Sequence, residues 1–147
     1  MSAEPVRILL IEDNDADVYL FRTALESAEL NCELIVIEDG AEALAFVRHE
    51  GKHAGSPLPD LAVLDLNLPK NEGTEVLEAI RQNKNLSNLP VVVVTSSALP
   101  REQAKTEQLG VARFITKPTD LADFLQIGMV LKQVLAESQA RRHSPAS

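Results

Sequence analysis

The sequence contains no tryptophan, one cysteine and few aromatics of any kind. With a single thiol, Cys32, an internal disulfide framework is excluded, and a reducing, cytoplasmic setting is expected. Dense positive charge is also missing. Against a net charge of −8, the only basic cluster is Arg141-Arg142-His143, which reads as solvated charge in a tail. A nucleic-acid surface needs clustered Lys and Arg and is therefore excluded. The N-terminus MSAEPVR lacks the charged-then-apolar pattern of an export signal. No apolar run approaches the roughly 18 residues of a membrane span. What remains is a chain of 147 residues with ordinary apolar content, read as one domain. A chain of this size buries about two-thirds of its unfolded surface.

Two periodicities alternate along the chain. Short apolar runs occur at 6–11 (VRILLI), 33–37 (ELIVI), 61–65 (LAVLD), 91–95 (VVVVT) and 112–116 (ARFIT). They are rich in Val, Ile and Leu and mostly unalternated, as strands covered on both faces are. Between them lie helical patterns. The first places Val18, Phe21 and Leu25 on one face, with Asp15 or Asn14 available as N-cap. The second begins at Gly40 with Ala43, Leu44 and Val47 inward, and the third groups Val76, Leu77 and Ile80. A weak fourth runs from Pro100 to Leu109 and stops at Gly110. The last, from Thr119 to about Gln139, stacks Leu121, Phe124, Leu125, Gly128 and Leu135. The pattern is (βα)5 with connections too long for hairpins. Right-handed crossovers then predict a doubly wound α/β fold, a five-stranded parallel sheet with helices on both faces.

In such sheets the functional crevice lies beyond the carboxyl ends of the strands. There the sequence places Glu12-Asp13 after the first strand, Asp65 at the end of the third, Thr95 at the end of the fourth, and Lys117-Pro118 after the fifth. Each alone has an ordinary explanation: a capping acid, a strand-end hydroxyl, a snorkelling lysine. Their convergence on one edge does not. Carboxylates about 4 Å apart repel by about 4 kcal/mol at an effective dielectric of 20. A raised pKa, a cation or Lys117 must offset that charge. All-oxygen donors around a half-open pocket suit Mg²⁺. A carboxylate nucleophile flanked by a metal, a hydroxyl and an ammonium is equipped to accept a phosphoryl group.

The motifs LLIEDN, LDLNLPKNEG, PVVVVTSS and FITKP, in this order, resemble the receiver domain of two-component response regulators over residues 6–137. The stretch from Asp65 to Leu77 and the extended GKHAGSPLP segment are most similar to single-domain regulators partnered with phytochrome-type histidine kinases. The resemblance implies a flavodoxin-like sheet of order 2-1-3-4-5. It implies that Asp65 is the phosphoacceptor, that Asp13 binds Mg²⁺ directly with support from Glu12, and that Asn67 lends its backbone carbonyl. Thr95 and Lys117 would engage the phosphoryl group, with Thr95 and Phe114 forming the conformational switch. A cis bond between Lys117 and Pro118 is implied as well. The resemblance further implies that Asn67 and Ser97 occupy positions that tune self-dephosphorylation. The output surface would be the fourth helix, fifth strand and fifth helix.

The domain is expected over 6–139, with residues 1–5 a flexible N-terminus and 140–147, within ESQARRHSPAS, a disordered tail. That leaves no room for an output domain, so a stand-alone regulator acting by protein contact is expected. His49, His53 and His143 read as surface histidines rather than phosphotransfer sites. On the last helix, Ile127, Val130, Leu131 and Val134 form an apolar arc beside the core stripe, read as a homodimer or partner interface. A haloacid-dehalogenase-like phosphatase would require a second aspartate where Asn67 stands. A flavin-phosphate module would require a Ser/Thr/Gly-rich loop where the acidic EDNDAD stands.

Overall fold

The computed structural model describes residues 5–70, 72–96 and 99–143. Five strands, β1 (Val6–Ile11), β2 (Cys32–Ile37), β3 (Leu61–Leu64), β4 (Val91–Thr95) and β5 (Arg113–Thr116), pair in parallel in the order β2-β1-β3-β4-β5. The helices are α1 (Asp15–Ser27), α2 (Gly40–Val47), α3 (Gly73–Gln82), α4 (Pro100–Gln108) and α5 (Leu121–His143). A 3₁₀ turn, Gly51–His53, follows α2. Asn14 rather than Asp15 caps α1, accepting the Asp17 N–H, and Asp39 caps α2 through the Glu42 N–H. The weak fourth helix ends as its glycine predicts, with Gly110 at φ +71°.

Alternate residues of each central strand feed two separate cores, the period-2 geometry of a sheet covered on both sides. Leu9, Ile11, Leu64 and Val93 face α2 and α3, meeting Phe46, Val76 and Ile80. Ile8, Leu10, Val63 and Val92 face α1 and α5, meeting Phe21 and Phe124. The rings of Phe21 and Phe124 pack edge to face with centroids 5.0 Å apart.

α5 corrects the sequence reading. Ile127, Leu131 and Val134 are at most 2% exposed and fill the core against α1 and the sheet, with Val130 packed at its margin. They form no free interface. The large apolar residues of this helix that are exposed are instead Leu121 and Met129. The reason is geometric: α5 has two neighbours rather than one, so it buries a broad arc. Gly128 sits at the crossing, where an added Cβ would lie 2.1 Å from the Ala24 carbonyl oxygen. Lys132 Nζ then reaches back to donate to the Ala28 carbonyl at the end of α1, at 3.0 Å. The helix also continues past Gln139, so Arg141 is helical rather than part of a tail. Among the described residues no helix is long and apolar enough to cross a membrane.

This crossing yields a test. Gly128→Ala forces α1 and α5 apart and is expected to lower the unfolding free energy by about 1–3 kcal/mol, as overpacking does. Gly55→Ala, whose Cβ meets nothing within 4 Å, is expected to stay within about 0.5 kcal/mol of the parent. Urea denaturation of both variants checks the contrast.

Candidate phosphoacceptor site

The backbone ladder delivers the site residues to one edge. The Glu12 N–H donates to the Ile37 carbonyl (2.9 Å), that of Asp65 to Ile11 (3.1 Å), and that of Lys117 to Thr95 (2.8 Å). Each residue is therefore held by the same bonds that define the sheet register. The start of α3 presses on the Asp65 loop as well. The Gly73 N–H donates to the Leu66 carbonyl at 3.1 Å. A Cβ there would lie 2.6 Å from Leu66 Cα and 2.7 Å from the Asp65 carbonyl oxygen, so glycine is what lets the helix begin so close.

Asp65 is 4% exposed. Its Oδ1 accepts from the Asn67 N–H (2.9 Å) and from Thr95 Oγ1 (3.0 Å), while Oδ2 accepts from Lys117 Nζ (2.9 Å). Thr95 Oγ1 in turn accepts from Asn67 Nδ2 at 3.0 Å. The Lys117 ammonium also lies 2.7 Å from Glu12 Oε1 and 2.7 Å from Asp17 Oδ2. Burial works to lower the Lys117 pKa, but the acids Asp17, Glu12 and Asp65 outweigh it and hold the ammonium above the ordinary lysine range. Glu12 shows the opposite balance. Burial drives its carboxyl up to about 7, against the lowering pull of Lys117 and of the Asn14 N–H, which donates to Oε2 at 3.1 Å. Its Oε1 faces the ammonium without hydrogen-bond geometry, a buried oxygen left without a hydrogen-bond partner.

Glu12, Asp13 and Asp65 each offer an oxygen, all within 4.8 Å of one another, with Asp13 exposed and the other two buried. An all-oxygen, half-open set that includes an unsatisfied buried oxygen fits a hard divalent cation that keeps part of its water. Glu12, Asp13, Asp65, Asn67, Thr95 and Lys117 thus assemble as their sequence positions imply. Asn67 gives its N–H to Asp65 and its side-chain amide to Thr95. Phe114 is half-buried against the first core. Ser97 lies outside the described residues. The Lys117–Pro118 bond corrects an expectation: among the described residues no peptide is cis. The lysine's long stem brings Nζ to Asp65 from a trans backbone continuing the β4–β5 ladder.

Asp17 was not foreseen. Its signal was the second acid in the first turn of α1, one helical turn beyond Asp13. The meeting with Lys117, 100 residues away, depends on packing. His49 and His53 stand away from these acids: His53 packs edge-on to Phe46 with its Nε2 3.3 Å from Glu42 Oε1, and His49 stacks on the same ring. A cleft of about 570 Å³ between Leu58, Leu89 and Arg141 lies at the opposite, amino end of β3 and β4 and takes no part.

The Glu12 shift has a sign that can be measured in the metal-free protein. A carboxyl whose folded pKa exceeds its unfolded value binds more protons when folded. Its contribution is fully present below about 4.5 and is lost as pH rises through about 7. The stability difference between the parent and Glu12→Gln, measured by denaturation in chelator, is therefore expected to move against the parent across that window.

Comparison with known proteins bears on this arrangement. Residues 8–127 match the response regulator receiver domain. Response regulator Rcp1 of Synechocystis sp. is 40% identical over 126 residues, spanning 86% of each chain. The phosphorylated cyanobacterial phytochrome response regulator RcpA superposes with a TM-score of 0.83 at 37% identity, covering 90% of this chain and 95% of its own. The Mn²⁺-bound form of Rcp1 superposes with a TM-score of 0.80 at 39% identity, covering 88% and 93%. The chain, with its 2-1-3-4-5 sheet and its acids gathered at the strand ends, belongs to the response regulator receiver domain family.

Proposed function

We propose that the protein is a stand-alone response regulator that takes a phosphoryl group from a histidine kinase onto Asp65. One observation carries the reading: a buried carboxylate gripped at both oxygens by Thr95, Asn67 and Lys117, beside two further acids. A carboxylate so held is positioned as a nucleophile, and its ordering cost is already met by the fold. An Asp65 oxygen attacks phosphorus, the N–P bond of the phosphohistidine breaks, and its electron pair returns to the imidazole nitrogen. Glu12, Asp13 and Asp65, with the Asn67 backbone carbonyl, would hold Mg²⁺, which when bound supplies positive charge to offset the phosphoryl oxygens. Lys117 and the Thr95 hydroxyl lie where they can donate to those oxygens.

The product carries about −1.5 to −2 charges with strong acceptor oxygens. Thr95 now donates to Asp65 and would turn its hydrogen to the phosphoryl group, drawing the end of β4 inward. Phe114, on the neighbouring strand, would follow, altering the face formed by α4, β5 and α5 for a protein partner. Asn67, bonded to Thr95 through its amide, would tune hydrolysis of the acyl phosphate.

The likeness to RcpA, a phytochrome response regulator, favours a phytochrome-type kinase as donor. Intact mass after incubation with acetyl phosphate tests the chemistry. A gain of one phosphoryl group is expected in the wild type with Mg²⁺, and none without the metal or in Asp65→Asn. A gain retained by Asp65→Asn would sink the assignment.

A further inference from the structure

Lys117 is shared by more acids than phosphoryl transfer requires. Beyond Glu12 and Asp65, its Nζ donates to Asp17 Oδ2 at 2.7 Å, shorter than its 2.9 Å bond to Asp65 itself. An ammonium has three donors, and here three carboxylate oxygens lie within 2.9 Å of it. A phosphoryl oxygen arriving on Asp65 must draw Lys117 towards itself, in competition with the acids that hold the ammonium in the resting site.

Asp17 is the acid that yields at least cost. Asp65 is itself the group phosphorylated, and the Glu12 side chain is 1% exposed and cannot be rehydrated easily, whereas the Asp17 side chain is 22% exposed. Asp17 also lies in the first turn of α1, where unpaired helix N–H groups support a negative charge without help from a lysine. Its own N–H is tied to Asn14 Oδ1 at 3.0 Å, so its backbone stays in place whether or not the ion pair is made. While it holds Lys117, Asp17 competes with the phosphoryl group for the same cation and adds one more like charge near an incoming dianion.

We propose that Asp17 is a positioning residue that restrains Lys117 in the resting site and so weakens the protein's hold on a phosphoryl group at Asp65. The inference rests on Asp65 being the phosphoacceptor. It makes the resting site deliberately under-committed: Lys117 is available to phosphate only by release from α1. The first turn of α1 thereby becomes a determinant of how readily the phosphorylated state forms.

Beryllofluoride, which mimics a phosphoryl group on a carboxylate, separates this from a merely structural role. Beryllium chloride is titrated in excess fluoride and Mg²⁺, and bound species are read by ¹⁹F NMR. Asp17→Asn removes the competing charge in the same shape and is expected to bind about three- to fivefold more tightly than wild type, the size of a partly exposed ion pair. Asp17→Glu, which keeps the charge, is expected to stay near wild type. A structural support for Lys117 would give the reverse, so equal or weaker binding by Asp17→Asn overturns the proposal. If circular dichroism shows that variant unfolded, Asp17→Ser carries the same expectation. Wild type with no bound signal, or Asp65→Asn with an undiminished one, overturns the phosphoacceptor reading and this inference with it. A normal wild type with an unimproved Asp17→Asn overturns this inference alone.

Discussion

Everything at this sheet edge depends on one ion-pair arrangement, the Lys117 ammonium set among Glu12, Asp17 and Asp65. Burying a carboxylate without compensation costs several kcal/mol. Asp65 and Glu12 are both almost fully buried, a few ångströms from each other and from Asp13. One lysine offsets part of that charge. The rest is met by hydrogen bonds from Thr95 and Asn67 and, for Glu12, by a carboxyl driven up towards neutrality by its burial. The site is thus under electrostatic tension in its resting form, and added positive charge relaxes it. That tension explains why these groups sit on a rigid sheet: a flexible loop would let the acids separate and dissipate it.

The sheet supplies rigidity through register. Parallel pairing of β1 with β3 and of β4 with β5 brings residues 12, 65, 95 and 117 to one edge although they are spread over most of the chain. Burial on both faces leaves the strand ends as the place where polar groups meet solvent. Gly73 and Gly128 then set how closely helices approach, the first against the Asp65 loop and the second against α1. Core and chemistry are one construction: the packing that places α1 against α5 also carries Asp17 to Lys117.

Much of this was legible in the sequence because it is local or periodic. Five Val/Ile/Leu runs, each followed by a helical pattern, specify a parallel sheet, and the residues after each run are the site. What was not legible depends on neighbours in space. A hydrophobic arc on α5 looks the same whether it awaits a partner or rests on α1, and Ile127, Leu131 and Val134 rest on α1 and the sheet. Asp17 looks like any first-turn acid until Lys117 arrives from 100 residues away. The Lys117–Pro118 bond was expected to be cis by resemblance, yet a four-carbon stem reaches Asp65 from a trans backbone.

The central claim is that Asp65, among the acids crowded at this edge, is the one that carries the phosphoryl group. Borohydride reduces an aspartyl phosphate to homoserine and so marks the acylated residue covalently. The protein is loaded with a small phosphodonor in Mg²⁺, reduced, digested and sequenced by mass spectrometry. Homoserine at position 65 and at no other acid is the predicted result. Homoserine at position 13 or 17, with aspartate intact at 65, would contradict the account.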